Sequence, residues 1–353
     1  MRVLLVRVGA MGDVLHALPA VAALRRMRPD WVLDWVVDPR WAPLLVNGRG
    51  EAPVVDGVFV AETKLWSGRP VSMATLRSIV ELRREVRQPG YERVVDMQGT
   101  LRSAVIGWMA GGGEFAGYSD PRERLAARFY TRRIERRGRH VIEQGAALLG
   151  EACGVRLEAE PFALPHEECA DGWAAEVVEA RDARRVCLLA VGGGWRAKLW
   201  PAKRYGELAR ELQAMGLDVM VNALRQDDPV AGEVVAASGG AARVVVCNMA
   251  GLIALLRRTA LLIGGDSGPT HLAAALGVPL VALFGPTDPE RNGPWGPGRR
   301  RVLRDAASCT SYRHVDDRDP GLERLAVSTV LEAAKSLLEA EGEGRGREDC
   351  RDL

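Results

Sequence analysis

Lysine is nearly missing from this chain: of its 48 basic residues only Lys64, Lys198, Lys203 and Lys335 are lysine. Codon composition accounts for such a bias, and against it each retained lysine is a mild hint that a compact ammonium is wanted at that point. Paired cysteines are missing too. Cys153, Cys169, Cys187, Cys247, Cys309 and Cys350 form no CxxC and no Cys/His cluster at zinc spacing, which argues against a disulfide framework or a structural metal and for a reducing cytoplasm. The opening MRVLLVRVGAMGD holds four apolar residues before Arg7 interrupts them, far short of a signal sequence or a spanning helix, so neither export nor membrane crossing is expected. Charge of one sign is lacking as well: a net charge of +2 points to no nucleic-acid partner.

What is present is an alternation. Short β-rich runs at 3–8, 32–38, 93–99, 186–194, 217–223, 242–247, 260–266 and 279–285 are apolar enough to be covered on both faces. Amphipathic stretches lie between them, among them Val14 to Met27, Thr75 to Arg87, Lys203 to Ala214 and Ala250 to Arg258. This is the pattern of βαβ units, and 353 residues suit two domains. The fold class expected is α/β, with two Rossmann-like, doubly wound parallel sheets. The break belongs between Glu158 and Arg181, where EAEPFALPHEECADGW carries two prolines and mixed polarity. A first domain over 1–165, a second over 181–327, a helix over 328–340 returning to the first domain and a disordered tail over 341–353 complete the expected organisation. Ligands of open parallel sheets bind beyond the carboxyl ends of the strands, which places the reaction between the two domains.

Three segments carry chemistry. In VRVGAMGDVLHALPA a strand meets Asp13 at the opening of a helix, where it serves as an N-cap, a general base, or both. Its spacing is not GxGxxG, although Asp38 keeps a dinucleotide ribose acid, and with it an oxidoreductase, in play. In LLAVGGGWRAKLWPAKRY three glycines, including Gly193 and Gly194, precede Lys198; backbone N–H groups and an ammonium suit a diphosphate leaving group. In LLIGGDSGPTHLAAALG a strand ends at Asp266, and Ser267, Gly268, Thr270 and His271 turn into a helix whose positive end suits an anion.

Together MGDVLHALPA, DMQGTLRSA, RERLAARFY, KLWP, GDSGPTHLAAALG and LFGPTDP, in this order along most of the chain, resemble the ADP-heptose:lipopolysaccharide heptosyltransferases. The middle pair, at Asp96 to Ala104 and Arg122 to Ala126, looks more like heptosyltransferase I, which adds the first heptose to Kdo-lipid A, than like heptosyltransferase II. The resemblance implies a GT-B fold and inverting transfer without a metal or other cofactor. It implies Asp13 as the base, with Lys198, the loop at Gly193 and Gly194, and the turn from Asp266 to His271 around the donor ADP-heptose. Asp228, or Asp227, matches the family's ribose acid approximately, and Met249 its adenine side. For the Kdo-lipid A acceptor, Arg122 to His140 holds eight arginines against Glu123 and Glu135, so Arg122 and Arg132 are candidates beside Lys64 and Arg102. Trp66 is a candidate for a lipid interface. Such an enzyme is expected in the cytoplasm, touching the inner membrane peripherally. A nucleotide-sugar epimerase or binding protein on the same fold is the alternative of a different class. The acidic group Asp316, Asp317 and Asp319 reads as a solvated loop, not a cation site.

Overall fold

The computed structural model describes residues 1–180, 185–312 and 317–348, with side chains up to 339. The chain divides into two compact units, Met1–Pro165 and His166–Leu353, so the break falls inside the expected window. The acidic residue Asp316 lies outside the described residues.

The first unit is a parallel sheet of β1 (Arg2–Val6), β2 (Val32–Val37), β3 (Gly57–Val60), β4 (Arg93–Asp96), β5 (Glu114–Tyr118) and β6 (Arg132–Ile134). Their order is β3-β2-β1-β4-β5-β6. The second unit repeats the plan with β7 (Val186–Ala190), β8 (Asp218–Ala223), β9 (Ala242–Val246), β10 (Thr259–Gly265), β11 (Leu280–Phe284) and β12 (Arg300–Arg304), in the order β12-β11-β10-β7-β8-β9. In both sheets the strand order reverses between the first and fourth strands, β1/β4 and β7/β10. Crevices at such switch points, beyond the carboxyl ends, are where doubly wound sheets bind ligands.

Burial explains which strands were readable. VLLV of β1 and VCLLA of β7 are buried throughout, as continuous apolar runs covered on both faces must be. The four strands that the apolar pattern misses are β3, β5, β6 and β12. Three are edge strands, of which β6 (RRI) and β12 (RRVLR) carry the charge that keeps sheet edges from pairing with other chains.

The C-terminal helix corrects an expectation. It runs from Val327 to Glu348, through most of the supposed tail, and it belongs to the second unit. Val330, Ala333, Ala334, Leu337 and Leu338 form one stripe at helical spacing, in the same core cluster as Leu208 and Leu212 of the helix Ala202–Ala214. Burying a side chain the size of valine or leucine contributes roughly 1.5–3 kcal/mol, enough for three such residues to fix where the helix docks. The remaining tail residues, 349–353, lie outside the described ones.

Candidate functional site

At the first switch point the loop after β1 and the loop after β4 are tied to each other. Gln98 Oε1 accepts the Val8 N–H at 2.8 Å and the Gly9 N–H at 3.3 Å. Gln98 is itself held by Asp96, whose Oδ1 accepts the N–H groups of Gln98 (2.8 Å) and Gly99 (3.0 Å). Asp96 Oδ2 accepts the Ser103 hydroxyl at 2.8 Å and the Tyr130 hydroxyl at 2.7 Å. Two glycines make this possible: Gly99 has φ 74°, and a Cβ at Gly117 would run into the Tyr130 ring. Asp96 is fully buried, and burial pushes its carboxyl above the ordinary range; the hydrogen bonds from Gly99, Tyr130, Gln98 and Ser103 oppose the shift without cancelling it.

Asp13 sits in front of this frame. It is the third residue of the helix Met11–Met27 rather than its N-cap, which is Ala10 and has no capping side chain. The carboxylate substitutes from inside the first turn: Oδ2 accepts the Ala10 N–H at 3.1 Å, and Oδ1 lies 2.7 Å from Arg7 Nη2. Arg7 is anchored by donating its other terminal nitrogen to the Met97 carbonyl. Asp13 remains 38% exposed, so its carboxylate is oriented and still reachable. In the sequence Arg7 is marked only as the interruption of an apolar run.

Asp38 is a different case. Its carboxylate is buried under a two-pronged contact from Arg40 (2.6 and 3.0 Å) and a hydroxyl from Thr63 (2.7 Å). Burial alone would raise its pKa; the Arg40 and Thr63 hydrogen bonds and the Arg40 charge hold it below the ordinary value. With its oxygens committed, Asp38 is not open for a ribose, and the dinucleotide alternative loses its acid.

The acceptor candidates separate. Arg102 and Arg122 are exposed beside the β4 loop, where the Leu101 N–H donates to Glu123 Oε2 (2.8 Å) and the Glu123 N–H to the Gly99 carbonyl (2.9 Å). Lys64 is exposed on the short helix Thr63–Gly68 after β3, at the same sheet edge. Arg132 is a correction: it begins β6 at the opposite, amino-terminal edge and pairs with Glu114 at 3.2 Å. Two more arginines of the run meet acids distant in sequence, Arg136 at Asp120 and Arg137 at Glu151. Trp66 also differs from expectation, since it packs on the core and donates to Ser78 Oγ at 3.2 Å.

At the second switch point Asp266, just past β10, is buried and held by three side chains. Lys198 Nζ is 2.5 Å and Thr287 Oγ1 2.7 Å from Oδ2, while His271 Nε2 is 2.9 Å from Oδ1. Burial by itself would raise this carboxyl; the His271 hydrogen bond and the charges of His271 and Lys198 hold it well below the usual carboxylate range. Asp266 therefore positions Lys198 and His271. Lys198 ends the short turn after the glycine loop, with its ammonium 5.4 Å from the centre of the Trp195 ring. A Cβ at Gly192 or Gly194 would meet nothing within 4 Å, while one at Gly193 would press on Leu199. Thr270 is buried and donates to the Gly265 carbonyl (2.7 Å), so it shapes the turn. Ser267 and Gly268 open the helix Gly268–Ala275. Thr287, in the LFGPTDP segment, was missed because its partner lies 21 residues away.

Two further residues lie at the carboxyl ends of neighbouring strands. Asp228 caps the helix Pro229–Ser238, accepting the N–H groups of Val230 and Ala231, whereas Asp227 is exposed and pairs with Arg225. Met249 begins the helix after β9 and is half-buried, not core. Asp319 caps the helix Pro320–Arg324 and accepts the Ser308 hydroxyl, a structural use of one member of the acidic group.

Residues 79–321 match glycosyltransferase family 9 (heptosyltransferase). The chain belongs to that family. It is a glycosyltransferase. Lipopolysaccharide heptosyltransferase 1 of Pseudomonas aeruginosa is 32% identical over 307 residues, 84% of this chain and 82% of the relative. Lipopolysaccharide heptosyltransferase 2 of Escherichia coli K12 is 24% identical over 365 residues, 96% of this chain and 99% of the relative. Among solved structures, the E. coli heptosyltransferase WaaC with ADP has a TM-score of 0.76 at 24% identity, covering 96% of this chain and 100% of that one. The same enzyme with ADP-2-deoxy-2-fluoro heptose has a TM-score of 0.71 at 24% identity, over 95% of this chain and 99% of that one. The two parallel sheets are thus the GT-B fold. Among the described residues no helix is long and apolar enough to cross a membrane.

Proposed function

We infer that this glycosyltransferase adds the first heptose to the inner core of lipopolysaccharide, moving it from ADP-heptose to a hydroxyl of Kdo-lipid A with inversion and without a metal ion. The observation that carries the reading is the Asp13 carboxylate, oriented by Arg7 and the Ala10 N–H at the switch point of the first unit and left accessible. In a direct displacement the acceptor oxygen forms a bond to the anomeric carbon as the bond to the diphosphate breaks. The acceptor proton passes to Asp13, and the leaving ADP takes the bonding electrons. Lys198 meets that developing charge, held in place by Asp266, together with the glycine loop and the positive end of the helix Gly268–Ala275. Fixed positive groups of this kind make a cation unnecessary. Met249, Asp228 and His271 are assigned to the nucleotide-sugar side, and Lys64, Arg102 and Arg122 to the anionic acceptor. A donor of this class is supported by the ADP and fluoro-heptose found in the E. coli relative. The first-heptose reading over the second is supported by the 32% identity to a heptosyltransferase 1. An acceptor anchored in lipid places the enzyme peripherally at the cytoplasmic face of the inner membrane.

The test pairs purified protein with ADP-heptose, ADP-glucose or GDP-mannose and with Kdo-lipid A or its already heptosylated form, in excess EDTA. Product is expected only from ADP-heptose and Kdo-lipid A. Product only from the heptosylated acceptor would reassign the enzyme to the second heptose, and a loss of turnover in EDTA restored by magnesium would overturn metal independence.

A further inference from the structure

The helix Met73–Arg87 has two faces, and the fold uses one of them. Thr75, Ile79, Leu82 and Val86 recur at helical spacing and turn inward, the last three onto the core of the first unit. On the other side Met73, Leu76 and Val80 are 74%, 50% and 65% exposed, and Val71 just before the helix is 91% exposed. At about 100° per residue, Arg77, Arg83, Arg84 and Arg87 fall in this same outer sector, while Glu81 and Glu85 fall to one side of it. None of these four arginines forms an ion pair among the described residues, and all four are exposed.

A single exposed apolar side chain is ordinary; four together on one amphipathic element, beside four unpaired guanidiniums, mark a contact surface. The chemistry selects the partner. A second copy of this face would bring eight like charges together, whereas an anionic bilayer supplies both an apolar layer for the valines, methionine and leucine and phosphates for the arginines. The placement agrees. The helix carries the chain from the carboxyl end of β3 back to the amino end of β4, so Val71 and Met73 start at the sheet edge that bears Asp13, Lys64, Arg102 and Arg122.

We propose that the outer face of the helix Met73–Arg87, with Val71, docks this enzyme on an anionic membrane surface, the apolar residues entering the interface and the arginines lying at the phosphates. The proposal rests on the lipid-anchored acceptor for its purpose, but its test does not. Full-length protein is sedimented with vesicles of phosphatidylglycerol and phosphatidylcholine, and with phosphatidylcholine alone. Binding is expected only to the anionic vesicles and is weakened by salt. The triple variant Met73→Ser/Leu76→Ser/Val80→Ser and the quadruple variant Arg77→Gln/Arg83→Gln/Arg84→Gln/Arg87→Gln should each lower partitioning at least about tenfold. Both should keep the parent melting temperature and transfer to a lipid-free Kdo acceptor. Parent-like partitioning of both variants, a parent that ignores anionic vesicles, or a dimer dispersed by the same substitutions in place of vesicle binding overturns the proposal. Failure of the transferase reading would look different: no transfer to the soluble acceptor by the parent, with vesicle binding and its loss in the variants intact.

Discussion

Asp96 and Asp266 occupy the same place in the two units, at the end of the fourth strand beside the switch point, and both are buried. Their titration is driven in opposite directions. Asp96 is met only by N–H and O–H dipoles, from Gln98, Gly99, Ser103 and Tyr130, and burial wins, raising its pKa. Asp266 is met by Lys198 and His271, and the cations win over a similar burial, lowering it. Depth in the protein does not decide the behaviour of a buried carboxyl; the charge of its partners does. The contrast suits the work of each unit. Dipoles hold Asp96 and the loop after β4, with Arg7 the cation on Asp13, whereas in the second unit a cation held by an anion presents the positive charge that the proposed function assigns to the diphosphate.

The largest effect that separates the two is expected from neutralising each carboxyl. Asp266→Asn strands a part-buried ammonium and should lower stability by about 3–5 kcal/mol, with transfer lost through misplacement of Lys198. Asp96→Asn keeps one acceptor, and the Ser103 and Tyr130 hydroxyls can rotate to accept from the new amide, so about 1 kcal/mol is expected. Denaturant unfolding of the two variants measures this difference, and equal losses would erase the distinction between cation and dipole partners.

Asp13 extends the comparison to a carboxylate that is held but not buried. Asp13→Asn keeps one oxygen for the Ala10 N–H but turns an amide NH2 toward Arg7 and removes its charge partner, so some stability is lost, less than for Asp266→Asn because Asp13 is 38% exposed. Transfer should fall by about two or more orders of magnitude, the cost of losing a positioned base. Near-parent transfer would reduce Asp13 to a helix-terminus residue.

Next comes the pH dependence of stability, which carries opposite signs. For Asp266, with its folded value depressed, the stabilisation is complete above the unfolded value near 4 and is lost as pH falls toward the folded value. For Asp96, with its folded value raised, stability instead declines as pH climbs from about 4 through the folded value. Asp266→Asn should flatten the acid limb and Asp96→Asn the decline above it; a single limb abolished by both would contradict the assignment.

The smallest effect tests the two sheet edges. Arg122→Glu should raise the acceptor KM while leaving donor binding unchanged. Arg132→Glu, at the far edge and already paired with Glu114, should leave the acceptor KM alone and cost about 1 kcal/mol or less of stability. A matching rise in KM for both would return the whole arginine run to the acceptor.

Which features were legible follows from their range along the chain. The eight apolar strands stood out because unbroken apolar runs are a local signal, whereas β6 and β12, charged at their edges, resemble loops. Asp13 and Asp266 were found because each sits where a strand gives way to a helix, but the partners of Asp266 were not legible. Nothing near it in sequence shows that Lys198, 68 residues away, and Thr287, 21 residues away, both meet its Oδ2. Arg132 was grouped with Arg122 because they are neighbours in sequence, and ten residues of chain carry them to opposite edges of one sheet.

By itself, then, the sequence determined the βαβ alternation, the division into two units, the family motifs and the strand ends where chemistry collects, all of which depend on short-range periodicity and residue type. Only the tertiary structure decided which carboxylates are saturated, which arginines are neutralised and where the last helix docks. Those outcomes depend on burial and on charges brought together from distant parts of the chain, and neither quantity exists until the sheets have formed.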